Sequence, residues 1–412
     1  MYSTKLRKIF TKAFQSLTNL GGLMYMNLSY KKYLFGLVVV SAALAAVSCS
    51  KSDQEVADPA KATTEAKAPE EKVLNIYNWS DYIAPDTIAN FEKETGIKVQ
   101  YDVFDSNEIL HAKLIAKNTG YDIVVPTSNW AKQQLDGGLF QKLDKGKLTN
   151  WKNLDEGILK QMAAFDPGNQ YLVDWMWSYN TVGINVDKVK AALGDTPLPE
   201  NAWDLVFNPT YTSKLKSCGI TFLDTPTDVF QAALHYLGRP VYTGTPEDYQ
   251  AAFELLMKVR PDIKKFNSGG QIDDLASGNT CVAYGWAGDF NLARKRSIEN
   301  KTEQNIEALV PKTGGILFMD VMAIPADAKH PDNAHTFINY IMRPEVTAAI
   351  TNEVTYANPN KAATEFVDPE IKNNKSIYLS DEDIAKLVPP GVEDAQTKRN
   401  MTRLYTKFKS GV

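Results

Sequence analysis

Histidine is scarce in this sequence, and the signatures of common catalytic and cofactor sites are missing. The 412 residues include only four histidines, and none has a zinc-like spacing to another His or Cys. No G-x-S-x-G elbow, Walker loop or dinucleotide-binding fingerprint occurs. We therefore expect a protein without metal, cofactor or catalysis. His330 and His335 flank a proline-containing turn, so we expect both to be solvated.

A strong charge of one sign is also missing. The formal net charge is -4, and the chain has no basic tract of the kind that binds DNA or RNA. Hydrophobic residues make up 44% of the chain and charged residues 23%, which is normal for a soluble protein with one or two large cores. Nucleic acid is therefore not expected as a partner.

Long apolar runs are absent, apart from one stretch near the N-terminus. Two lysines precede an apolar run from Tyr33 to Val47, which is too short for a comfortable membrane span. This pattern predicts a secretory signal peptide over residues 1–48. Met26 lies just ahead of the charged residues, so the functional signal is expected to be 26–48.

The motif AAVSC at the end of this run resembles the lipobox of bacterial lipoproteins. Cys49 would carry the lipid and become the mature N-terminus, although Ala46 stands where Leu is usual. Residues 49–72 lack aromatics and are rich in Ala, Lys, Glu and Pro, which predicts a flexible tether. We expect a membrane-anchored lipoprotein of the periplasm or cell envelope. The alternative is a soluble secreted protein that is cut near the same place.

Cysteine is rare as well. Beyond Cys49, the chain contains only Cys218 and Cys281. In an exported protein such a pair most simply forms a disulfide, and two buried free thiols are the alternative.

Strand-like and helix-like segments alternate from Val73 onward. The segments that read as strands are VLNIYNW, IKVQYDVF, YDIVVP, CGITFLD, CVAYGWAGD and FMDVMAIP. The first two helical segments are expected to end at Gly96 and Gly120. The alternation predicts a parallel sheet with helices on both faces, in which ligands bind beyond the carboxyl ends of the strands. The chain length favours two α/β lobes over one.

Three times, an aromatic residue stands within three positions of an aspartate at the end of a predicted strand. The groups are Trp79 with Asp81 and Tyr82, Trp286 with Asp289, and Phe318 with Asp320. A core aromatic and a helix-capping Asp would explain each group separately, but the recurrence favours one binding site. Aromatic faces attract cations and cover methylenes, and carboxylates accept hydrogen bonds from ammonium groups. The pattern therefore predicts a ligand with ammonium heads and an apolar stem.

These segments resemble a known family. From about Val73 to the C-terminus, this chain is similar to the polyamine-binding proteins of bacterial ABC importers, and most closely to the putrescine-binding member. The segments that carry the resemblance are LNIYNWSDYIAPDTIANFEKETGIKVQYDVFDSNE, YDIVVP, KLKSCGITFLDTP, CVAYGWAGD and YANPNKAAT. The resemblance implies an α/β, two-lobed periplasmic-binding-protein fold of type II, with the ligand in the inter-lobe cleft. The lobes are expected at 73–178 with 296–350, and at 179–295 with 351–412. The resemblance also implies a disulfide between Cys218 and Cys281.

The resemblance further implies a ligand-binding set, which consists of Trp79, Ser80, Asp81, Tyr82, Thr127, Thr227, Trp286, Asp289, Phe318, Asp320 and Tyr356. Asp81 is expected to meet an ammonium group and Ser80 to add a hydrogen bond, while Trp79 and Tyr82 line the stem. Thr127 replaces the family's Ser and keeps its hydroxyl. Thr227 replaces a Glu, so a carboxylate is lost there, and the neighbouring Asp228 is the candidate replacement.

We therefore expect an extracytoplasmic substrate-binding protein that captures a polyamine, putrescine in the first place, and delivers it to the permease of an ABC importer. It would be a monomer that touches the membrane only through its N-terminal lipid. Three alternatives stay open: a preference for spermidine, an amine sensor that hands its closed state to a membrane receptor, and an exported hydrolase that uses Asp81 and Asp289 as an acid–base pair.

Overall fold

The computed structural model of the protein describes residues 70–412. The predicted signal peptide, Cys49 and the part of the predicted tether up to residue 69 lie outside the described residues. Within residues 70–412, no helix combines the length and the apolar character that are needed to cross a membrane.

Strands and helices alternate along most of the described chain. The strands are β1 (Val73–Trp79), β2 (Lys98–Phe104), β3 (Ile123–Val124), β4 (Val173–Asn185), β5 (Ile220–Phe222), β6 (Ile263–Phe266), β7 (Val282–Trp286), β8 (Ile306–Ala308) and β9 (Leu317–Met322). The α-helices are α1 (Asp86–Thr95), α2 (Asn107–Ala116), α3 (Ser128–Asp136), α4 (Glu156–Met162), α5 (Val186–Leu193), α6 (Asp204–Phe207), α7 (Pro209–Leu215), α8 (Pro226–Tyr236), α9 (Pro246–Val259), α10 (Gln271–Ala276), α11 (Ala287–Glu299), α12 (Pro331–Ile341), α13 (Pro344–Val354), α14 (Pro369–Lys372), α15 (Asp381–Lys386) and α16 (Ala395–Ser410). Short 3-10 helices occupy Lys145–Lys147, Thr149–Asn153, Arg260–Asp262 and Lys361–Glu365.

The first sheet is parallel, as predicted, with the strand order β2–β1–β3. Leu74 and Ile76 of β1 are buried and pack in one hydrophobic cluster with Phe91 of α1 and Phe337 of α12. The predicted stop of α1 is confirmed, because Gly96 caps it in the left-handed conformation, which glycine adopts at little cost.

The end of α2 was predicted incorrectly. The helix stops at Ala116 and does not continue to Gly120. Lys117 and Asn118 both have a positive φ, of 59° and 51°, which is incompatible with a right-handed helix. The chain therefore leaves the helix one turn earlier than the glycine pattern indicated.

The second sheet differs from the prediction because it is mixed. Its order is β6–β5–β7–β4–β8, and β9 also pairs with β4. β5 is parallel to β6 and β7, whereas β4 is antiparallel to β7, β8 and β9. β4, a 13-residue strand that is buried along nearly its whole length, was not predicted from the sequence.

Strand β4 connects two hydrophobic cores. Trp175 and Met176 in its first half pack in the cluster that contains β1. Val182 and Ile184 in its second half pack in a different cluster, with Phe222 of β5. One continuous strand thus passes from the first lobe to the second, in agreement with the predicted two-lobed architecture. The exact lobe boundaries stay a prediction.

The expectation that His330 and His335 are solvated was wrong. His335 is 5% exposed, and its Nε2 accepts a hydrogen bond of 2.8 Å from the backbone N–H of Asp144. The Nδ1 of His330 lies 2.9 Å from the carboxylate of Asp122, a residue that is itself buried. Both imidazoles tie the start of α12 to neighbouring segments, so they serve the fold of the first lobe.

The predicted disulfide between Cys218 and Cys281 is present, with Cα atoms 5.5 Å apart. Cys218 follows α7, and Cys281 immediately precedes β7. Both residues belong to the core of the second lobe or pack against it. The disulfide therefore fixes the chain just before the strand that ends in Trp286.

We predict that the double substitution Cys218→Ala/Cys281→Ala lowers the free energy of unfolding by about 4 kcal/mol, the chain-entropy value for a loop of this length. The loop spans 63 positions. Urea denaturation of the variant and of the oxidised parent measures the difference. Mass spectrometry of unreduced protein is the control, and two free thiols in the exported parent would contradict the prediction.

Candidate binding cleft

A cleft between the two lobes contains the whole predicted ligand-binding set. Its lining includes Trp79, Ser80, Asp81, Tyr82, Thr127, Thr227, Trp286, Asp289, Phe318, Asp320 and Tyr356. The enclosed space is about 840 Å³, part of which is open to solvent. Most of these residues stand in β9, at the ends of β1 and β7, or in the segments that follow β1, β3, β5 and β7. The cleft therefore lies beyond the carboxyl ends of strands, where ligands are expected to bind in α/β sheets.

Asp289 places a buried carboxylate in the cleft wall, in the first turn of α11. It is 8% exposed. Its Oδ1 accepts a hydrogen bond of 2.6 Å from the Tyr356 hydroxyl, and its Oδ2 accepts one of 2.9 Å from Nε2 of Gln271. Burial raises the pKa of Asp289 to about 6 despite these hydrogen bonds; the charge of Asp81 raises it further and that of Arg296 lowers it. The carboxylate is thus held in place but lacks a full counter-charge.

Two glycines allow these partners to reach Asp289. A Cβ atom on Gly288 would overlap the ring of Tyr356, and one on Gly285 would lie 2.6 Å from Oε1 of Gln271. Any larger residue would displace one of the two hydrogen-bond donors. The motif GWAGD therefore supplies both the acid and the space for its partners.

Asp320, on β9, is the second buried acid of the cleft, and it is 4% exposed. Its Oδ1 accepts a hydrogen bond of 2.7 Å from the Thr127 hydroxyl, and its Oδ2 accepts one of 2.9 Å from the Tyr82 hydroxyl. Burial raises the pKa of Asp320 to about 7, and the charges of Asp228 and Asp289 raise it further. Thr127 thus uses the hydroxyl that the sequence predicted it would keep.

A further carboxyl lies behind this acid. Asp174 on β4 is 5% exposed, and neither of its oxygens has a hydrogen-bond partner in the described part of the chain. Burial, together with the charge of Asp320, holds the pKa of Asp174 well above its ordinary value. Its surroundings therefore favour the neutral form of Asp174.

Aromatic rings from both lobes complete the walls. The rings of Trp79 and Trp286 meet edge to face with centroids 5.8 Å apart. Those of Tyr82 and Tyr356 meet in the same way at 4.7 Å. The indole of Trp79 is fixed by a hydrogen bond of 2.9 Å to the backbone carbonyl of Val125. Because the polar ends of these rings are already bonded, the cleft presents apolar ring surface.

Asp81 has a different partner from the predicted ammonium group. Arg296 donates from Nη2 to Oδ1 of Asp81 at 2.5 Å, and from Nη1 to Asp273 at 2.9 Å. Arg296 stands seven positions after Asp289, and therefore on the same face of α11 two turns later. The hydroxyl of Ser80 is also engaged, because it donates to Asp105 at 3.1 Å. Ser80 is half-buried and Asp81 is exposed, so these two residues form the rim of the cleft.

Thr227 and Asp228 both line the cleft from the first turn of α8. The Thr227 hydroxyl donates to Oε1 of Glu108 at 3.4 Å. Oδ1 of Asp228 accepts hydrogen bonds from Nδ2 of Asn180 at 2.9 Å and from the indole of Trp286 at 3.3 Å. A carboxylate, that of Asp228, is therefore present beside position 227. The sequence alone did not determine whether this side chain points into the cleft.

Several residues of the cleft lining were not predicted, namely Asn107, Trp130, Asn180 and Gln231. Most of them stand in the first or second turn of a helix that follows a strand, and this position was the only signal in the sequence. Within residues 70–412, no group of three or more His, Cys, Asp or Glu side chains is arranged to hold a metal ion.

Comparisons with known proteins agree with this architecture. The family described as bacterial extracellular solute-binding protein matches residues 86–377. The putrescine-binding periplasmic protein PotF of Escherichia coli (strain K12) is 49% identical over 382 residues, which are 92% of this chain and 98% of that protein. The putrescine-binding periplasmic protein SpuD of Pseudomonas aeruginosa (strain UCBPP-PA14) is 49% identical over 346 residues, 84% of this chain and 94% of its own. The similarity to PotF is longer than the stretch from Val73 to the C-terminus, so it also includes residues before Val73.

A solved structure shares the fold. The putative spermidine/putrescine ABC transporter from Listeria monocytogenes has a TM-score of 0.72 at 33% identity, and the match covers 82% of this chain and 99% of that one. The type II two-lobed fold is thereby confirmed. The relatives named above are binding proteins, so the expectation that this chain is not an enzyme is confirmed as well, and the hydrolase alternative is not supported. The chain belongs to the family of bacterial extracellular solute-binding proteins.

Proposed function

We propose that this protein captures a polyamine, putrescine in the first place, between its lobes and delivers it to an ABC importer. The observation that carries the proposal is the pair of buried acids, Asp289 and Asp320, in a cleft walled by aromatic rings. The names of its relatives support the same ligand class, since PotF and SpuD are putrescine-binding proteins.

The charges of the cleft favour a dication. A buried carboxylate is stable only when it is both hydrogen-bonded and paired with a positive charge. Asp289 and Asp320 each accept two hydrogen bonds from neutral groups, so what they lack is the charge. A diamine brings two ammonium groups, and the rings of Trp79, Trp286 and Phe318 can cover the methylenes between them.

Spermidine is the second candidate ligand. Asp228 adds a further carboxylate to the lining and partly replaces the Glu that the family pattern has at position 227. A triamine would use that extra charge. The predicted lobes, 73–178 with 296–350 and 179–295 with 351–412, would close on either amine, and the ring contact of Trp79 with Trp286 would form on closure.

We further propose that the protein acts in the periplasm as a lipid-anchored monomer. The relatives are named as periplasmic, and the lipobox-like motif at Cys49 supports the anchor. The sensor alternative rests on no feature of the cleft, because capture of an amine would serve import and sensing equally.

We expect the substitution Cys49→Ser to move the protein from the membrane fraction to the soluble periplasmic fraction, because one cysteine would carry the whole lipid anchor. Fractionation of cells that express the full chain, with palmitate labelling of the parent, measures this. Unlabelled parent protein, or a variant that stays in the membrane fraction, would contradict the lipid anchor and leave the ligand proposal intact.

Titration calorimetry with di-, tri- and tetra-amines tests the ligand. We expect putrescine to bind with a Kd on the order of micromolar, or about -8 kcal/mol. Because a cation favours the ionised acids, binding should release protons wherever Asp289 and Asp320, with pKa values of about 6 and about 7, are still protonated. The release should be about one proton per ligand at pH 6.5 and about 0.1 at pH 8. Affinity should therefore fall as the pH drops below 7.

Repeating the titration in two buffers of different ionisation enthalpy gives the number of protons. An uncharged diol of the same length, 1,4-butanediol, is the matched control ligand and should produce no binding heat. Absence of heat from every amine would refute the proposed function. Binding without proton release at pH 6.5 would mean that the two buried acids do not meet the ammonium groups.

Asp289→Asn should weaken putrescine binding far more than Trp286→Phe. Loss of the charge leaves a buried ammonium unpaired, which costs about 3–5 kcal/mol, whereas Phe keeps a ring face and costs nearer ~1 kcal/mol. Calorimetry of both variants measures the two losses. Asp187→Asn, an exposed acid outside the cleft lining, is the matched control. Equal losses at 286 and 289 would show that Asp289 does not pair with the cation.

A further inference from the structure

A second layer of charged side chains lies behind one end of the cleft. We call this the Trp130 end, and it is lined by Trp130, Thr227, Gln231, Tyr242 and Pro390. Three of these lining residues each contact a charged residue that does not itself line the cleft. Trp130 contacts Lys398, Thr227 contacts Glu108, and Gln231 contacts Glu393.

Lys398 brings an ammonium group of the protein to this end. It stands on α16 of the second lobe and is only 9% exposed. Its Nζ lies 3.9 Å from the centroid of the Trp130 ring and donates a hydrogen bond of 2.9 Å to Oε1 of Gln133. Trp130 and Gln133 both belong to α3 of the first lobe. This arrangement is an ammonium on an aromatic face, the same contact that the cleft offers to a ligand.

The buried Glu393 and the half-buried Glu108 both feel the charge of this one cation. Oε1 of Glu393 accepts a hydrogen bond of 2.5 Å from Gln231, and its Oε2 has no partner within residues 70–412. Burial raises the pKa of Glu108 to about 7 and also raises that of Glu393, while the charge of Lys398 opposes both shifts. The positive charge of Lys398 is therefore divided between two carboxyl groups that have little other compensation.

The acids of the cleft form a row that leads toward Lys398. Asp320 is close enough to Asp289 and to Asp228 for both charges to raise its pKa. Glu108 in turn feels the charges of Asp228 and Lys398. Hydrogen bonds connect the cleft to the second layer at the same place, because Asp228 accepts one of 3.3 Å from the indole of Trp286 and the adjacent Thr227 donates one of 3.4 Å to Glu108. A diamine that pairs with Asp289 and Asp320 would therefore stop short of Lys398, whereas a longer amine would extend toward it.

We propose that Lys398 is a specificity-determining residue that favours diamines. From behind Trp130 it supplies a positive charge at the Trp130 end of the cleft, where a triamine would bring its third ammonium group. The proposal rests on the proposed function, because it concerns the choice among amines. Two like charges that share one pair of acids repel each other, so the third ammonium of spermidine gains less there than it would beside unpaired carboxylates.

The substitution Lys398→Met tests this, since it removes the charge and keeps an unbranched apolar stem against Trp130. Titration of the purified protein at pH 8 with putrescine and with spermidine gives two association constants and their ratio. We expect Lys398→Met to raise the spermidine-to-putrescine ratio about tenfold, which is about 1.4 kcal/mol. Glu393→Gln removes one acid and should lower the ratio. Lys407→Met, an exposed lysine on the same helix, is the control and should leave it unchanged.

The outcomes separate the two proposals. If the parent binds neither amine, the proposed function fails and the role of Lys398 fails with it. If the parent binds amines and the ratio stays within twofold in Lys398→Met, only the role of Lys398 is overturned. Equal losses for both amines would overturn it too, because they would mean that Lys398 merely holds the lobes together. Glu393→Gln provides a separate test if Lys398→Met does not fold: an unchanged or increased ratio overturns the proposal.

Discussion

The rest of this structure depends on one constraint, which is that carboxylates are buried away from water between the two lobes. Asp289 and Asp320 are almost fully buried, and burial is the main reason that their pKa values rise to about 6 and about 7. Neutral hydrogen-bond donors reduce the cost of burying each charge but cannot remove it. A cleft of this kind is stable with its acids protonated or with a cation between them, and only the second state retains a ligand.

The fold supplies the donors for each acid from distant parts of the chain. The hydroxyls that bond Asp320 come from Thr127 and Tyr82, and those partners precede it by more than 190 positions. Asp289 receives its two hydrogen bonds from Gln271 and Tyr356, and its neighbouring glycines are what permit both to approach. Strand ends gather these segments at one edge, so the same topology that forms the sheets also assembles the acid sites.

Short patterns in the sequence were enough to predict the aromatic and acidic residues of the cleft that are neighbours along the chain. The aromatic–acid groups stand at strand ends, and all of their members line the cleft. Strand β4 was missed, although Val173, Trp175, Trp177 and Tyr179 alternate with mostly polar residues. Such alternation is typical of a half-exposed strand, whereas both faces of β4 are buried. The partner of Asp81 was missed for a different reason. Arg296 is 215 positions away and resembles any charged residue on a helix, so no local pattern reveals their contact.

Two of the protein's own cations lie beside the acids of the cleft. Arg296 pairs with Asp81 at the rim near Asp289, and Lys398 lies over the ring of Trp130, behind the Trp130 end. Arg296 also pairs with Asp273, and Lys398 donates to Gln133, so both cations connect distant segments of the chain and compensate charge at once. Asp228, Asp289 and Asp320 line the cleft and form no ion pair with a lysine or arginine within residues 70–412. The negative charge that the protein itself leaves uncompensated is therefore in the cleft lining, where the ammonium groups of a ligand can reach it.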